Sequence, residues 1–410
     1  MYKIWKKKSQ EEIKTRVFEA LNSNINYSEQ SVLGIPASYL DNRVFSAEES
    51  FLKDAPFIST LIKNPNHIGC HTIGESESYF KGTQEIEKEL IEICSVDILK
   101  GKPQSYDGYI ASGGTEANLQ AIWIYRNYFI QKLGAKREEI TIICSEDSHY
   151  SMDKAANVFV LDIEKAKVER DTRKLTKESI NHTVKNAKEN GKKYFIVISN
   201  MMTTMFGSVD NVDFYSETLE ELGCEYKIHI DAAFGGFYYP FTKGETSLSF
   251  ANPKISSFTL DAHKMAQAPY GTGIFLIEKG MIHYANTEQA SYVAGEDCTL
   301  IGSRSGANAI SVWMILVKNG PFGWQEKIFI LQHRTEWLCK QLKELSIQFC
   351  RFPKSNIVTI KSEFVSEEIA KEFGLVPDNH KNPSWYKIVV MDHVTIDKLI
   401  LLLEKLGYKH

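Results

Sequence analysis

Three short segments hold residue types whose order and spacing support chemistry. The first, Ala111-Ser112-Gly113-Gly114-Thr115-Glu116-Ala117-Asn118, follows an apolar run and opens a helical pattern. Glycines there let backbone N–H groups converge, and the positive end of the helix dipole adds to them. The segment therefore reads as a phosphate cradle, supplemented by the hydroxyls of Ser112 and Thr115; a plain glycine-containing helix start is the alternative. It is neither GxGxxG nor a Walker loop, so nucleotide binding is not the obvious reading. The second, His229-Ile230-Asp231-Ala232-Ala233-Phe234-Gly235-Gly236, ends a strand in a carboxylate and small residues. Such an acid serves a ligand or caps the next turn. The third, Asp261-Ala262-His263-Lys264-Met265, puts an amine at the mouth of an apolar sheet. Desolvation lowers a lysine's pKa there and suits it to imine formation, although a lone loop lysine is more often merely solvated. Phosphate loop, carboxylate and His-Lys in this order, each at an expected strand end, make a demanding coincidence.

The elements that must position these groups follow from the apolar pattern. Strands are expected at Tyr109 to Ala111, Ile140 to Cys144, Tyr194 to Ser199, Lys227 to Ile230, Ser256 to Leu260 and Gly273 to Ile277. Helices are expected near Glu116 to Lys132, Ser151 to Val158 and Phe214 to Leu222, and an amphipathic one from Gly82 to Leu99. Short, nearly continuous apolar strands alternating with helices indicate an α/β protein with a mainly parallel sheet covered on both faces. Ligands gather at the carboxyl ends of such strands. Residues 1–50 read as an N-terminal arm and 51–318 as a large domain. After Asn319-Gly320-Pro321, residues 319–410 read as a small C-terminal α/β domain.

Composition sets the frame without naming a chemistry. The 410 residues are 43% hydrophobic and 24% charged, as in ordinary globular proteins, and 25 Gly with 11 Pro exclude a collagen-like chain. The 48 basic and 52 acidic residues leave a net charge of −4, no field for nucleic acid or an anionic membrane. Lys6, Lys7 and Lys8 read as a solvated tail rather than a targeting signal. No apolar run is long enough to span a bilayer, and the N-terminus lacks the apolar core of a secretion signal. The seven cysteines are scattered without a CxxC pair, so no metal site or disulfide framework is indicated. A cytoplasmic location is expected.

The three segments, taken with others, resemble group II pyridoxal-phosphate-dependent amino-acid decarboxylases. The branch is the one near archaeal tyrosine and aspartate decarboxylases, which also resembles bacterial histidine decarboxylases and sphingosine-phosphate lyases. The likeness runs from about Gly82 to Gly306 through GTQEIEKEL, SGGTEAN, TTMFGSVDN, HIDAAFGG, DAHKM and GSRSG. It implies the PLP-dependent transferase fold (aspartate-aminotransferase type, fold type I) with a seven-stranded sheet. It also implies pyridoxal 5′-phosphate as cofactor and a homodimer with shared active sites. Lys264 would hold the cofactor as a Schiff base, and Asp231 would keep the ring nitrogen protonated so that a quinonoid intermediate can form. Ala233 would lie against one ring face and His149 on the other, with Thr204 near the phenolic oxygen. Ser112, Gly113, Gly114 and Thr115 would cradle the phosphate, and His263 would contact it or help to orient the imine, with Asp261 as support.

Other assignments are more open. Arg304, in GSRSG, fits phosphate or carboxylate, or a structural ion pair. Tyr292, in a polar glycine-containing stretch, is the candidate acid for Cα, or else a tyrosine packed at a subunit boundary. Met202 stands where the family often has glycine. His71 and Tyr79 are the candidate substrate contacts, with an aromatic, tyrosine-like substrate placed ahead of an acidic one. A carbon–carbon lyase, an aminotransferase and a catalytically silent pyridoxal-phosphate-binding regulatory protein are the alternatives to a decarboxylase.

Overall fold

The computed structural model describes residues 2–26, 48–68, 78–242, 247–286 and 296–408; His71 and Tyr292 lie outside them. The strands are β1 (Asn66–Ile68), β2 (Tyr106–Ala111), β3 (Ile140–Ser145), β4 (Asp162–Ala166), β5 (Tyr194–Asn200), β6 (Glu225–Ala232), β7 (Ile255–Asp261), β8 (Gly273–Glu278), β9 (Ser303–Ser305), β10 (Phe349–Cys350), β11 (Ile357–Lys361), β12 (Val376–Pro377) and β13 (Trp385–Val389). The helices are α1 (Gln10–Asn22), α2 (Pro56–Lys63), α3 (Lys81–Glu92), α4 (Gly114–Leu133), α5 (Ser151–Phe159), α6 (Lys177–Glu189), α7 (Val212–Glu221), α8 (Gly306–Glu344), α9 (Glu367–Glu372) and α10 (Ile396–Lys405).

Seven strands form the main sheet in the order β2-β8-β7-β6-β5-β3-β4. The run from β7 to β4 is parallel, and β8 is antiparallel to both of its neighbours. The apolar strands bury both faces by alternation. Phe195 and Val197 point into one cluster, Ile196 and Ile198 into the other, and Ile143 is similarly opposed to Ile142 and Cys144. The seventh strand, β4, was not anticipated. Its sequence DIEKA holds no apolar run, because an edge strand with an exposed face needs none. Helix α6 was missed as well.

The stretch from Gly82 to Leu99 is not one α-helix: α3 ends at Glu92 and continues as a π-helical turn, Ile93–Ile98. That turn buries Asp97, whose carboxylate accepts the backbone N–H groups of Lys3, Ile4 and Trp5 at 2.8, 2.7 and 2.5 Å. Trp5 is itself buried, and its indole N–H donates to the Leu316 carbonyl at 2.6 Å. The lysine run is therefore no tail. Lys6 and Lys7 are exposed, but the Lys8 N–H donates to Val317 O at 2.8 Å.

The texture change at Asn319-Gly320-Pro321 is a kink within α8. Gly320 takes φ 66° and ψ 168°, and a Cβ there would lie 2.5 Å from Lys7 Cβ. Only glycine admits both that backbone and that approach. Beyond it, the antiparallel sheet β10-β11-β13-β12 packs with α10 and the end of α8 around its own apolar cluster, which includes Leu338, Val358, Ile388 and Leu402. Among the described residues no helix is long and apolar enough to cross a membrane.

Candidate active site

The parallel strands end on one side of the sheet, and there the three chemistry-bearing segments meet around a cavity of about 320 Å³. Ser112, Gly113, Gly114 and Thr115 line it at the start of α4. The first N–H groups of a helix have no partner inside it, so this end is built to meet an anion. The Ser112 N–H is engaged, donating to Glu116 Oε2 at 2.6 Å. Asp231 and Ala233 enter from the end of β6, and Asp261, His263 and Lys264 from the end of β7. His149, from the loop after β3, and Thr204, from the loop after β5, complete the lining. Eleven of the twelve expected cofactor contacts thus share one cavity, although they span more than 150 positions of sequence.

Geometry and charge fix several of these groups. The Asp231 carboxylate accepts the Ala233 N–H at 3.1 Å on Oδ1 and the Asn118 amide at 3.0 Å on Oδ2. Lys264 Nζ lies 3.2 Å from Asp261 Oδ2. Burial pushes the Asp261 carboxyl up, and the Lys264 and His263 charges oppose that. Burial lowers His149. Its Nδ1 meets the Ser151 N–H at 3.2 Å, so Nδ1 is the acceptor and Nε2 carries the proton of the neutral ring.

The site fits a phosphate-bearing cofactor on its own evidence. Asp261 Oδ1 and His263 Nδ1 are buried at the cavity without a hydrogen-bond partner among the described residues. A Cβ on Gly114 would lie 2.7 Å from Asp261 Oδ2, so the cradle approaches the His-Lys segment closely only because position 114 is glycine.

Two expectations are revised. Arg304 does not line the cavity. Strand pairing of β9 with β1 turns it inward, where Nη1 lies 2.6 Å from Glu87 Oε1 and 3.2 Å from the Ile110 carbonyl. Within the chain it is the structural ion pair, not the cofactor contact. Tyr79, more than a third exposed in the short helical turn Ser78–Phe80, is not part of the cavity lining either.

Sequence reasoning also missed residues. Asn118, Tyr150, Asn200, Met202 and Phe234 line the cavity. Asn118 stood inside a quoted motif, and its place one helical turn into α4 was the available signal. Met202 takes φ 72°, the left-handed region that glycine occupies freely, at the position where the resemblance often has glycine. Lys387, on β13 of the small sheet, gave no local signal. Its Nζ donates to the Thr204 carbonyl at 3.0 Å, and burial together with the Lys264 charge pushes its pKa down.

Comparison with known proteins decides the family. Residues 88–360 match the model of the pyridoxal-dependent decarboxylase conserved domain. The chain belongs to this family. It is 49% identical over 413 residues to tryptophan decarboxylase of Clostridium sporogenes, covering 100% of this chain and 99% of that protein. To L-aspartate decarboxylase of Thermococcus kodakarensis it is 32% identical over 333 residues, covering 78% and 80%. A solved structure of Oryza sativa TDC with PLP and tryptamine superposes with a TM-score of 0.71 at 13% identity, covering 97% of this chain and 94% of that one. That identity speaks for the fold alone, which is the expected fold type I. This decarboxylase is accordingly a pyridoxal-phosphate-dependent carboxy-lyase acting on an amino acid. Of the pyridoxal chemistries left open by the motifs, decarboxylation is the one.

Proposed function

We propose that this decarboxylase acts on tryptophan, releasing carbon dioxide and tryptamine. The observation that carries this reading is the 49% identity to a tryptophan decarboxylase along the whole chain. It moves the expected aromatic substrate from tyrosine-like to indole-bearing. Tyr150 and Phe234 at the cavity supply aromatic surface suited to a flat apolar side chain.

When bound, pyridoxal phosphate supplies a sink for the electrons left on Cα as the carboxylate departs. The chain's own residues do the rest. Lys264 would be the amine that holds the cofactor. The Asp231 carboxylate would hold a proton at the ring nitrogen, and His149 and Ala233 would confine the ring. The loop Ser112 to Thr115, with His263, would hold the phosphate, and Thr204 would add a hydroxyl. Lys387 brings a cation within electrostatic reach of Lys264, suited to drawing in the substrate carboxylate. Tyr292 and His71 remain candidates for the substrate side.

The working unit in this reading is a homodimer. Phe51, Ile58 and Leu61 are exposed on and just before α2, an apolar face fit for a second copy. Mixing Lys264→Ala with Tyr292→Phe chains tests it: shared sites predict regained activity in mixed dimers, and none in either parent.

A panel assay of the proteinogenic amino acids, reading carbon dioxide and amine together, tests the substrate. Tryptophan is expected to exceed tyrosine and aspartate by at least roughly tenfold in kcat/KM. Preference for aspartate would overturn the assignment.

A further inference from the structure

From Asp231, polar groups continue into the sheet, beginning with Asn118 at the cavity wall. Asn118 Nδ2 lies 3.0 Å from Asp231 Oδ2, and Asn118 Oδ1 lies 3.0 Å from His229 Nε2. His229 Nδ1 lies 2.6 Å from Ser257 Oγ, which lies 2.5 Å from the Tyr125 hydroxyl. All four residues are at most 1% exposed: Tyr125, His229 and Ser257 at 0% and Asn118 at 1%. No bulk water substitutes for these contacts, so their polarity must be satisfied internally.

The direction of every bond follows. A flipped Asn118 amide would set its oxygen against the Asp231 carboxylate, two acceptors in contact, so Nδ2 donates to Asp231. The amide oxygen then only accepts, and His229 Nε2 must carry the ring proton. Burial drives the His229 pKa down to about 4, so the ring is neutral and Nδ1 is bare. Ser257 must donate to Nδ1 and therefore accepts from Tyr125. Thr259 Oγ1, 3.1 Å from Nε2, is a second acceptor for the same proton. The second Asn118 amide proton points to Ser151 Oγ at 3.2 Å, and that oxygen lies 2.9 Å from His149 Nδ1.

We propose that Tyr125, Ser257, His229 and Asn118 form a one-way hydrogen-bond chain that holds the Asp231 carboxylate ionised and aimed at the cofactor ring. Asn118 is its positioning residue, tying Asp231 on one amide proton and the Ser151–His149 pair on the other. The chain has donors pointing only toward Asp231 and no way to pass a proton back, so it stabilises the charge without neutralising it. This rests on the reading that Asp231 meets the ring nitrogen.

The test uses holoenzyme reconstituted with pyridoxal phosphate labelled with ¹⁵N in the ring. The ring-nitrogen chemical shift reports its protonation, and titration of the apoprotein gives cofactor affinity. Asn118→Asp places a second carboxylate about 3 Å from Asp231, and two such groups cannot both ionise. With one proton shared by the pair, it is expected to move the pH at which the ring nitrogen titrates and to weaken cofactor binding by roughly tenfold or more. Asn118→Leu and His229→Phe are expected to lower the pH at which the ring nitrogen loses its proton. Ser257→Ala, the smallest change, does so least, and it frees His229 to place its proton on Nδ1, visible in the imidazole ¹⁵N shifts. His229→Gln, which keeps a donor, recovers part of the loss. A protonated ring and unchanged affinity in Asn118→Leu and Ser257→Ala, with Asp231→Asn losing the signal, would sink the chain while leaving Asp231 in place. An unchanged signal in Asp231→Asn would instead overturn the Asp231 reading on which the chain depends.

Discussion

Two buried ionic clusters flank α4 and β2, and they are put to opposite uses. One surrounds Glu87, whose carboxylate accepts the Ile110 N–H at 2.7 Å and meets Arg304 at 2.6 Å and His67 at 2.8 Å. His67 is in turn held at Nε2 by Thr83 Oγ1 at 2.7 Å. The other surrounds Asp231, Asp261, His263 and Lys264, and it opens on the cavity with Asp261 Oδ1 and His263 Nδ1 left without partners among the described residues. The first joins two distant motifs, GTQEIEKEL and GSRSG, and none of its members lines the cavity. The second keeps polar atoms available for something that is not protein. Burial of charge alone does not mark a site; unsatisfied capacity facing a cavity does.

Four experiments break or sharpen that contrast. Lys264→Ala should lower kcat/KM by roughly 10³-fold or more while leaving thermal stability nearly unchanged, measured by amine formation and by calorimetry. Arg304→Met should do the reverse. It removes the arginine partner of the buried Glu87 carboxylate and should cost about 3 kcal/mol of stability by denaturant unfolding, with the affinity of the folded protein for cofactor preserved. Loss of cofactor affinity at native stability in Arg304→Met would place that arginine back at the site.

The third concerns pH. His229 has its folded-state pKa depressed from the ordinary 6.5 to about 4 by burial. Between those values the unfolded chain takes up a proton that the folded chain refuses, so stability falls as pH drops from about 6.5 toward 4, by an amount on the order of 3 kcal/mol. Asp210, raised by burial from 3.8 to about 7, acts with opposite sign: the folded chain keeps a proton that the unfolded chain releases, so stability falls as pH rises through that window. Comparing the wild type with His229→Gln leaves Asp210 common to both, and only the His229 slope should vanish. The smallest effect is at Met202. With φ 72° there, Met202→Gly should be more stable than Met202→Ala by about 1 kcal/mol in denaturant unfolding, inverting the usual order.

The site was more legible than its supports. SGGTEAN, HIDAAFGG and DAHKM each join a local strand-end pattern to a chemical group, so the gathering of eleven named residues around one cavity was readable from sequence. Arg304 was not, because its partner Glu87 is 217 positions away and nothing local distinguishes an inward arginine from a ligand-binding one. Lys387 escaped for a related reason: on β13 it reads as one polar residue in a short strand, and only the placement of the small sheet against the Thr204 loop gives it a role. In the fold, the apolar strands were found and the edge strand β4 was not, since the signal is burial and an edge has little. The Gly320-Pro321 break was read as a boundary; a kink within α8 lies there, where a Cβ on Gly320 would come within 2.5 Å of Lys7 Cβ.

The measurement that bears most directly on the assignment of the open cluster is to reduce the holoenzyme with borohydride, digest it and locate the pyridoxyl group by mass spectrometry. The account predicts a single modified peptide carrying the label on Lys264, absent from Lys264→Ala. Label on another lysine, Lys387 included, or an undiminished label in Lys264→Ala, would contradict it.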